Sequence, residues 1–257
     1  MLSIKDNEHA AALLLGHERE RLIGLRRGCR PGRAAGVSLS DDFCGTRWSR
    51  GQQTRKETPV SATVLDMSMS LDGFIAGPNA GPGNGLGDGG QRLHDWALTR
   101  AGSDEMEFVR TGVNGEVVAE LMSTGAVVAG RGTFEPAGGW GGDHHDGVRI
   151  FIVYRQQPGI DISRWPLVTP VNDIKVAMAQ ARKSAGDRNV LVHGAGIARL
   201  ALVAGVLDEL ELHVVPVLLG QGRRLFEGLA PEQIELQRTR VLEGEAGVIH
   251  MHYRVQH

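Results

Sequence analysis

Residues 189–228, NVLVHGAGIARLALVAGVLDELELHVVPVLLGQGRRLFEG, constrain the fold more than any other stretch. A short apolar run, Val190 to Val192, leads into Gly194-Ala195-Gly196 and then an apolar-rich helical segment, Ile197 to Val206. After Asp208-Glu209, Leu210, Leu212, Val214 and Pro216 alternate with Glu211, His213, Val215 and Val217. Strand, glycine turn, helix and strand in that order form a crossover unit of a mainly parallel sheet. The turn has two readings. The glycines can simply make it tight. They can also let the backbone approach a ligand, since a helix start presents unpaired N–H groups suited to a phosphate.

The rest of the chain repeats this alternation. Residues 60–69 read as the first strand, 126–129 as a buried strand, 149–154 as another, and 168–169 as a short one. Helices are expected from Gln91, within 104–123, and over 173–185 with Asn172 as cap. Residues 234–242 and 248–255 form a closing hairpin. The expected fold is three-layer α/β/α, with a mainly parallel mixed central sheet and a C-terminal antiparallel hairpin. It occupies residues 60–257.

Charge sets the first 59 residues apart. They carry a net +4, whereas residues 60–257 carry a net −6. A helix is conceivable over 8–26; beyond it, Arg, Gly, Ser and Pro mix without periodicity, as in a basic, poorly ordered extension. Acidic residues early in the chain argue against a signal peptide. The extension has no repeated aromatic–basic pattern and no known binding module, so nucleic acid is not the expected partner. No apolar run reaches membrane-spanning length. Cys29 and Cys44 alone make neither a disulfide scaffold nor a metal site, and a reducing cytoplasm is the natural compartment.

Four segments at expected strand ends carry candidate chemistry. The stretch DELELHVVPVLLGQGRRLFEGL (208–229) resembles a signature of the dihydrofolate reductase-like superfamily. The nearer resemblance is to the reductase domain of the bifunctional riboflavin-biosynthesis deaminase-reductase, over roughly residues 60–256. SLDGFIAG (70–77) and AGRGTFE (129–135) are similar to that family's S-L-D-G-x-I-A and G-R-x-T-[YF]-E motifs. The resemblance implies an oxidoreductase that passes a hydride from NADPH to a small heterocyclic substrate, most like the riboflavin-pathway pyrimidine; relatives often form homodimers. It also implies that Gly130, Arg131 and Thr133 hold cofactor phosphates, that Gly194, Ala195 and Gly196 abut the pyrophosphate, and that Tyr154 and Arg155 lie near the adenosine. Asp72 would orient nicotinamide or substrate, and Asp95 stands roughly where dihydrofolate reductases keep a proton-delivering carboxylate. Ala195 replaces the second glycine of the family's usual pair. The sequence contains no His/Cys zinc signature of a deaminase, so the expectation is the reductase part alone.

Three further stretches carry other chemistry. The glycine-rich loop 78–90 suits a flexible cover over a cofactor. Asp143-His144-His145-Asp146, and His250 with His252, do not have the spacing of a metal site.

Overall fold

The computed structural model describes residues 61–257, apart from 82, 102–104, 156–158 and 230–232. The basic extension 1–59 and the helix expected over 8–26 lie outside the described residues.

An eight-stranded sheet organises the described chain. Its strands are β1 (Thr63–Ser70), β5 (Ala126–Gly130), β6 (Arg149–Val153), β7 (Val168–Val171), β8 (Val190–His193), β9 (Glu209–Val215), β11 (Leu236–Glu243) and β12 (Ile249–Val255). Two small two-stranded sheets supply the others: β2 (Phe74–Ala76) pairs with the distant β10 (Arg223–Arg224), and β3 (Leu98–Ala101) forms a hairpin with β4 (Glu105–Phe108). In space the sheet runs β11-β12-β9-β1-β8-β5-β6-β7. All neighbours from β9 to β7 are parallel; β12 and β11 are antiparallel, which gives the expected mixed sheet and closing hairpin.

β5 is apolar throughout because it is buried on both faces, the usual state of a central parallel strand. Ala126 and Val128 face one core, Val127 and Ala129 the other. The first core packs against α3 (Ile174–Ala185) and α4 (Ala195–Val203) through Ala177, Met178, Ala181, Ile197 and Ala201. The opposite face carries α1 (Gly112–Met122), the single turn α2 (Arg131–Phe134) and the loop around Trp140. Burial of each large side chain there contributes about 1.5–3 kcal/mol. Among the described residues, no helix is long and apolar enough to cross a membrane.

Three local expectations need correction. α3 is capped by Asp173, not Asn172: Asp173 has extended backbone, and its carboxylate accepts from the Val176 amide at 2.9 Å. The helix expected from Gln91 is a single 3-10 turn, Gly90–His94. Trp96 and Ala97 are buried as expected, but they lead into a hairpin whose first strand starts at Leu98. The helix expected within 104–123 is present as Gly112–Met122, with Val117 and Val118 buried as expected. The glycine-rich loop is tied down by side chains: Asn79 and Asn84 donate to the Asp88 carboxylate at 2.6 and 3.0 Å.

Candidate active site

The parallel strands end at one edge, and a cleft opens there, where open α/β sheets bind ligands. It encloses about 1120 Å³ of empty space, its open mouth included. Asp66 and Ser68 from β1, His193 from β8, Gly132 and Thr133 from α2, and Arg223 from β10 line it. His94, Trp96, Trp140 and His144 also line it.

The two glycine-bearing motifs meet at this cleft. Gly194 has φ +96°, and a Cβ there would lie 2.2 Å from Thr133 Oγ1. Only glycine fits between the end of β8 and Thr133. Ala195 follows at the first position of α4 and is not among the residues of positive φ. The replaced glycine is therefore not required by the backbone. A Cβ on Gly196 would meet nothing within 4 Å, so the first turn of α4 leaves open space. Arg131 Nε is 3.2 Å from Glu135 Oε1, one turn along. Arg223 donates to the Gly132 carbonyl at 3.1 Å and joins the β2–β10 pair to this wall.

The structure places the remaining expected residues as follows. Gly130 ends β5 beneath Ile197. Asp72 accepts hydrogen bonds from Ser70 Oγ and from the Leu219 and Gly220 amides, which clamps the SLDG turn to the loop after β9. The Ser70 hydrogen bond leads the causes that hold the Asp72 carboxyl below its ordinary value. Asp95 is exposed and paired with Arg92 at 3.0 Å. Tyr154 and Arg155 follow β6, half-buried and exposed. None of Asp72, Asp95, Tyr154 and Arg155 lines the cleft.

The polar groups that do line it come mostly from residues the motifs do not include. Asp66 Oδ1 lies 3.2 Å from His213 Nε2. His213 Nδ1 is 2.8 Å from His250 Nδ1, and His250 Nε2 is 3.0 Å from Asn114 Oδ1. Trp96 packs over both imidazoles and donates to Ser68 Oγ at 2.9 Å. Burial pulls the Asp66 carboxyl up, but the charge and hydrogen bond of His213, with His193 and His250 behind, leave it below the ordinary value. At the other end, His144 Nδ1 meets His145 Nδ1 at 2.7 Å, and His145 Nε2 meets Thr124 Oγ1 at 3.2 Å. His94 Nδ1, Trp140 Nε1 and His144 Nε2 are buried and have no partner among the described residues. Burial, then the charge of His193, pushes His94 down to about 4 and His144 well below its usual value. Among the described residues, no three His, Cys, Asp or Glu side chains come together as a metal site.

A charged residue inside an apolar strand was the available signal for Asp66. His94, His193 and His213 gave none, because each is contributed by a different element, whereas His144, His145 and His250 stood out only as a metal candidate.

Comparison with known proteins agrees with this architecture. The RibD C-terminal domain family matches residues 144–250. No curated protein sequence matches the chain significantly. A protein of Shewanella sp. PV-4 described as a riboflavin biosynthesis protein is 19% identical, with TM-score 0.58, over 76% of this chain and 99% of its own. The Thermotoga maritima diaminohydroxyphosphoribosylaminopyrimidine deaminase/5-amino-6-(5-phosphoribosylamino)uracil reductase is 13% identical, with TM-score 0.50, over 76% of this chain. The match spans only 57% of that bifunctional protein. In fold, and in sequence over residues 144–250, the chain is thus similar to the RibD C-terminal reductase domain, the family its motifs resemble.

Proposed function

We propose that the chain is an NADPH-dependent reductase acting on a small, flat heterocycle, most like the 5-amino-6-(5-phosphoribosylamino)uracil of riboflavin biosynthesis. One observation carries this reading. Thr133 abuts Gly194 at the cleft, and the same cleft is lined by His94, Trp140 and His144, each with a buried polar atom that has no partner among the described residues. An unpaired buried polar group costs about 1–3 kcal/mol, which a ligand's hydrogen bonds would recover. A heterocycle with ring N–H and C=O groups complements a ring nitrogen acceptor and an indole donor.

The residues present fit the cofactor. The open first turn of α4 at Gly196 offers amides for a pyrophosphate, Thr133 a hydroxyl, and Arg131 a planar guanidinium for a phosphate. NADPH, when bound, supplies the hydride. Gly194 and Thr133 fix the spacing between the two phosphate-binding segments. Asp72 holds the SLDG turn and thereby orients the chain that borders substrate. Trp96 and Trp140, both buried, keep water from the inner wall.

The test is thermal melting of the full chain with NADPH, NADH and a deazaflavin. A ligand at a hundred times its Kd stabilises by about 2.7 kcal/mol. The expected result is a clear upward shift with NADPH, followed by loss of nicotinamide absorbance when the pyrimidine is added. No shift with any nucleotide removes the cofactor assignment. Arg131→Ala should weaken NADPH roughly ten- to hundredfold, since a hydrogen bond to a charged group is worth about 1.5–3 kcal/mol. An unchanged titration midpoint would take Arg131 out of the phosphate site.

A further inference from the structure

The chain Asp66–His213–His250–Asn114 has three polar contacts and can be counted proton by proton. Asn114 Nδ2 donates to the Trp96 carbonyl at 2.9 Å and faces the Glu245 carbonyl at 3.5 Å. The reversed amide would set oxygen against both carbonyls, so Oδ1 faces His250 and His250 Nε2 carries a hydrogen. Two imidazole nitrogens 2.8 Å apart need one hydrogen between them. The carboxyl and His213 Nε2 need another. Three contacts therefore take three protons. One carboxylate with two neutral imidazoles supplies two. The fully hydrogen-bonded cluster thus binds one additional proton and is electrically neutral, the favoured state for buried groups.

Resting on the reductase reading, we propose that this additional proton is shared by Asp66 and His213, and that Asp66 delivers it from the cleft wall to the substrate heteroatom that gains charge on reduction. His250 is the less basic end. Burial, then the charge of His213, pushes it down to about 4, which keeps the mobile proton beside the cleft. As a hydride from the nicotinamide donor bonds to carbon, the C=N or C=O π pair moves to the heteroatom. A new N–H or O–H bond forms there as Asp66 passes on the shared proton, and the bond that breaks is the one holding that proton to His213 Nε2 or to the Asp66 oxygen. The cluster is left as an Asp66 carboxylate beside neutral His213, and water restores its proton.

Other charged groups bear on the pair from every side. His94 approaches from the 3-10 turn, His193 from β8 and Glu120 from α1. Glu211 lies on β9, and Arg240 on β11 and Glu245 act through His250. Asp66, Glu120, Glu211 and Arg240 also line a second cavity that encloses about 910 Å³ of empty space, its open side included. Asp66 therefore stands between the cleft and a second polar space that can return the proton.

The decisive experiment counts protons by nitrogen-15 NMR of the histidine rings in the full chain, with signals assigned through His213→Gln and His250→Gln. Carbon-13 NMR reads the Asp66 carboxyl. At pH 7.5, above the ordinary histidine value of about 6.5, the expected result is His250 protonated at Nε2 alone. Alongside it, either His213 carries hydrogen on both nitrogens or the Asp66 carboxyl is protonated. In Asp66→Asn the additional proton should be absent. Neutral His213 beside an ionised Asp66 in the unaltered protein overturns the proposal. With NADPH and the pyrimidine, Asp66→Asn should lower kcat at least a hundredfold, within the usual range for a general acid, with KM changed only a few-fold. Undiminished kcat overturns the delivery role. Asp66→Asn should keep its NADPH melting shift, which separates lost proton delivery from a damaged fold. No NADPH shift in either protein removes the reductase reading and the use of the proton with it; the proton count is read independently of both.

Discussion

Acidification from pH 6.5 to pH 4 is expected to strip the protein of much of its stability, before most of its carboxylates titrate. His94 and His250 are both pushed down to about 4, each chiefly by burial. The unfolded chain protonates them near 6.5. Over the interval between, the unfolded state binds the additional protons and stability falls with pH, by about 1.4 kcal/mol per unit for each histidine. Together the two remove on the order of 6 kcal/mol by pH 4, a large part of the ~5–15 kcal/mol that holds a domain folded. His144, His145 and His193 shift in the same direction, each led by burial. Two groups oppose them. His252 is raised by its hydrogen bond to Glu209, so its contribution is fully present below 6.5 and is lost as pH rises. Glu211 is raised by burial, and its protonation relieves a desolvated charge. The five depressed histidines outweigh these two. Chemical denaturation at half-unit pH steps reads the slope directly, and His94→Gln should flatten it. A stability unchanged from pH 6.5 to 4.5 would mean that these imidazoles accept protons inside the fold.

Gly222→Ala should be among the most damaging single methyl additions near the cleft. Gly222 has φ +132°, and a Cβ there would lie 2.0 Å from the Ala76 carbonyl oxygen and 2.9 Å from Gly77 Cα. Both obstacles are backbone, so no side-chain rotation relieves them. That conformation belongs almost entirely to glycine and costs other residues about 1–3 kcal/mol before any overlap is counted. Displacing β10 from β2 would also pull Arg223 from the Gly132 carbonyl. A loss of about 3–5 kcal/mol is expected, on the order of a 10 °C drop in Tm for a domain of this size, with a weakened NADPH response. Gly220→Ala is the control: Gly220 also has positive φ, but its Cβ would meet nothing within 4 Å. It should cost about 1 kcal/mol. Equal melting temperatures for the two variants would show that the β2–β10 pair yields to the methyl group.

How much of this was legible in the order of residues varies with the range of the interactions. Periodicity and glycine placement are local, so β5, α3, α4 and the closing hairpin could be read directly. The motif segments Gly130 to Thr133 and Gly194 to Gly196 were legible for the same reason: strand, turn and helix start are each written within a few residues. Hairpin β3–β4 was not, because its segment also satisfies a helical pattern and only pairing across the turn decides between them. The intervening place of β1 between β8 and β9 was equally hidden, since parallel strands leave no trace of their neighbour in the sequence. That placement is what sets Asp66 of β1 against His213 of β9, with His250 of β12 beyond it and His193 of β8 on the other side. Asp95 matched an expected position along the chain but faces solvent, because the 3-10 turn directs His94 inward instead. Residues far apart in sequence acquire their proton affinities from one another and from burial, and neither exists until the sheet is assembled.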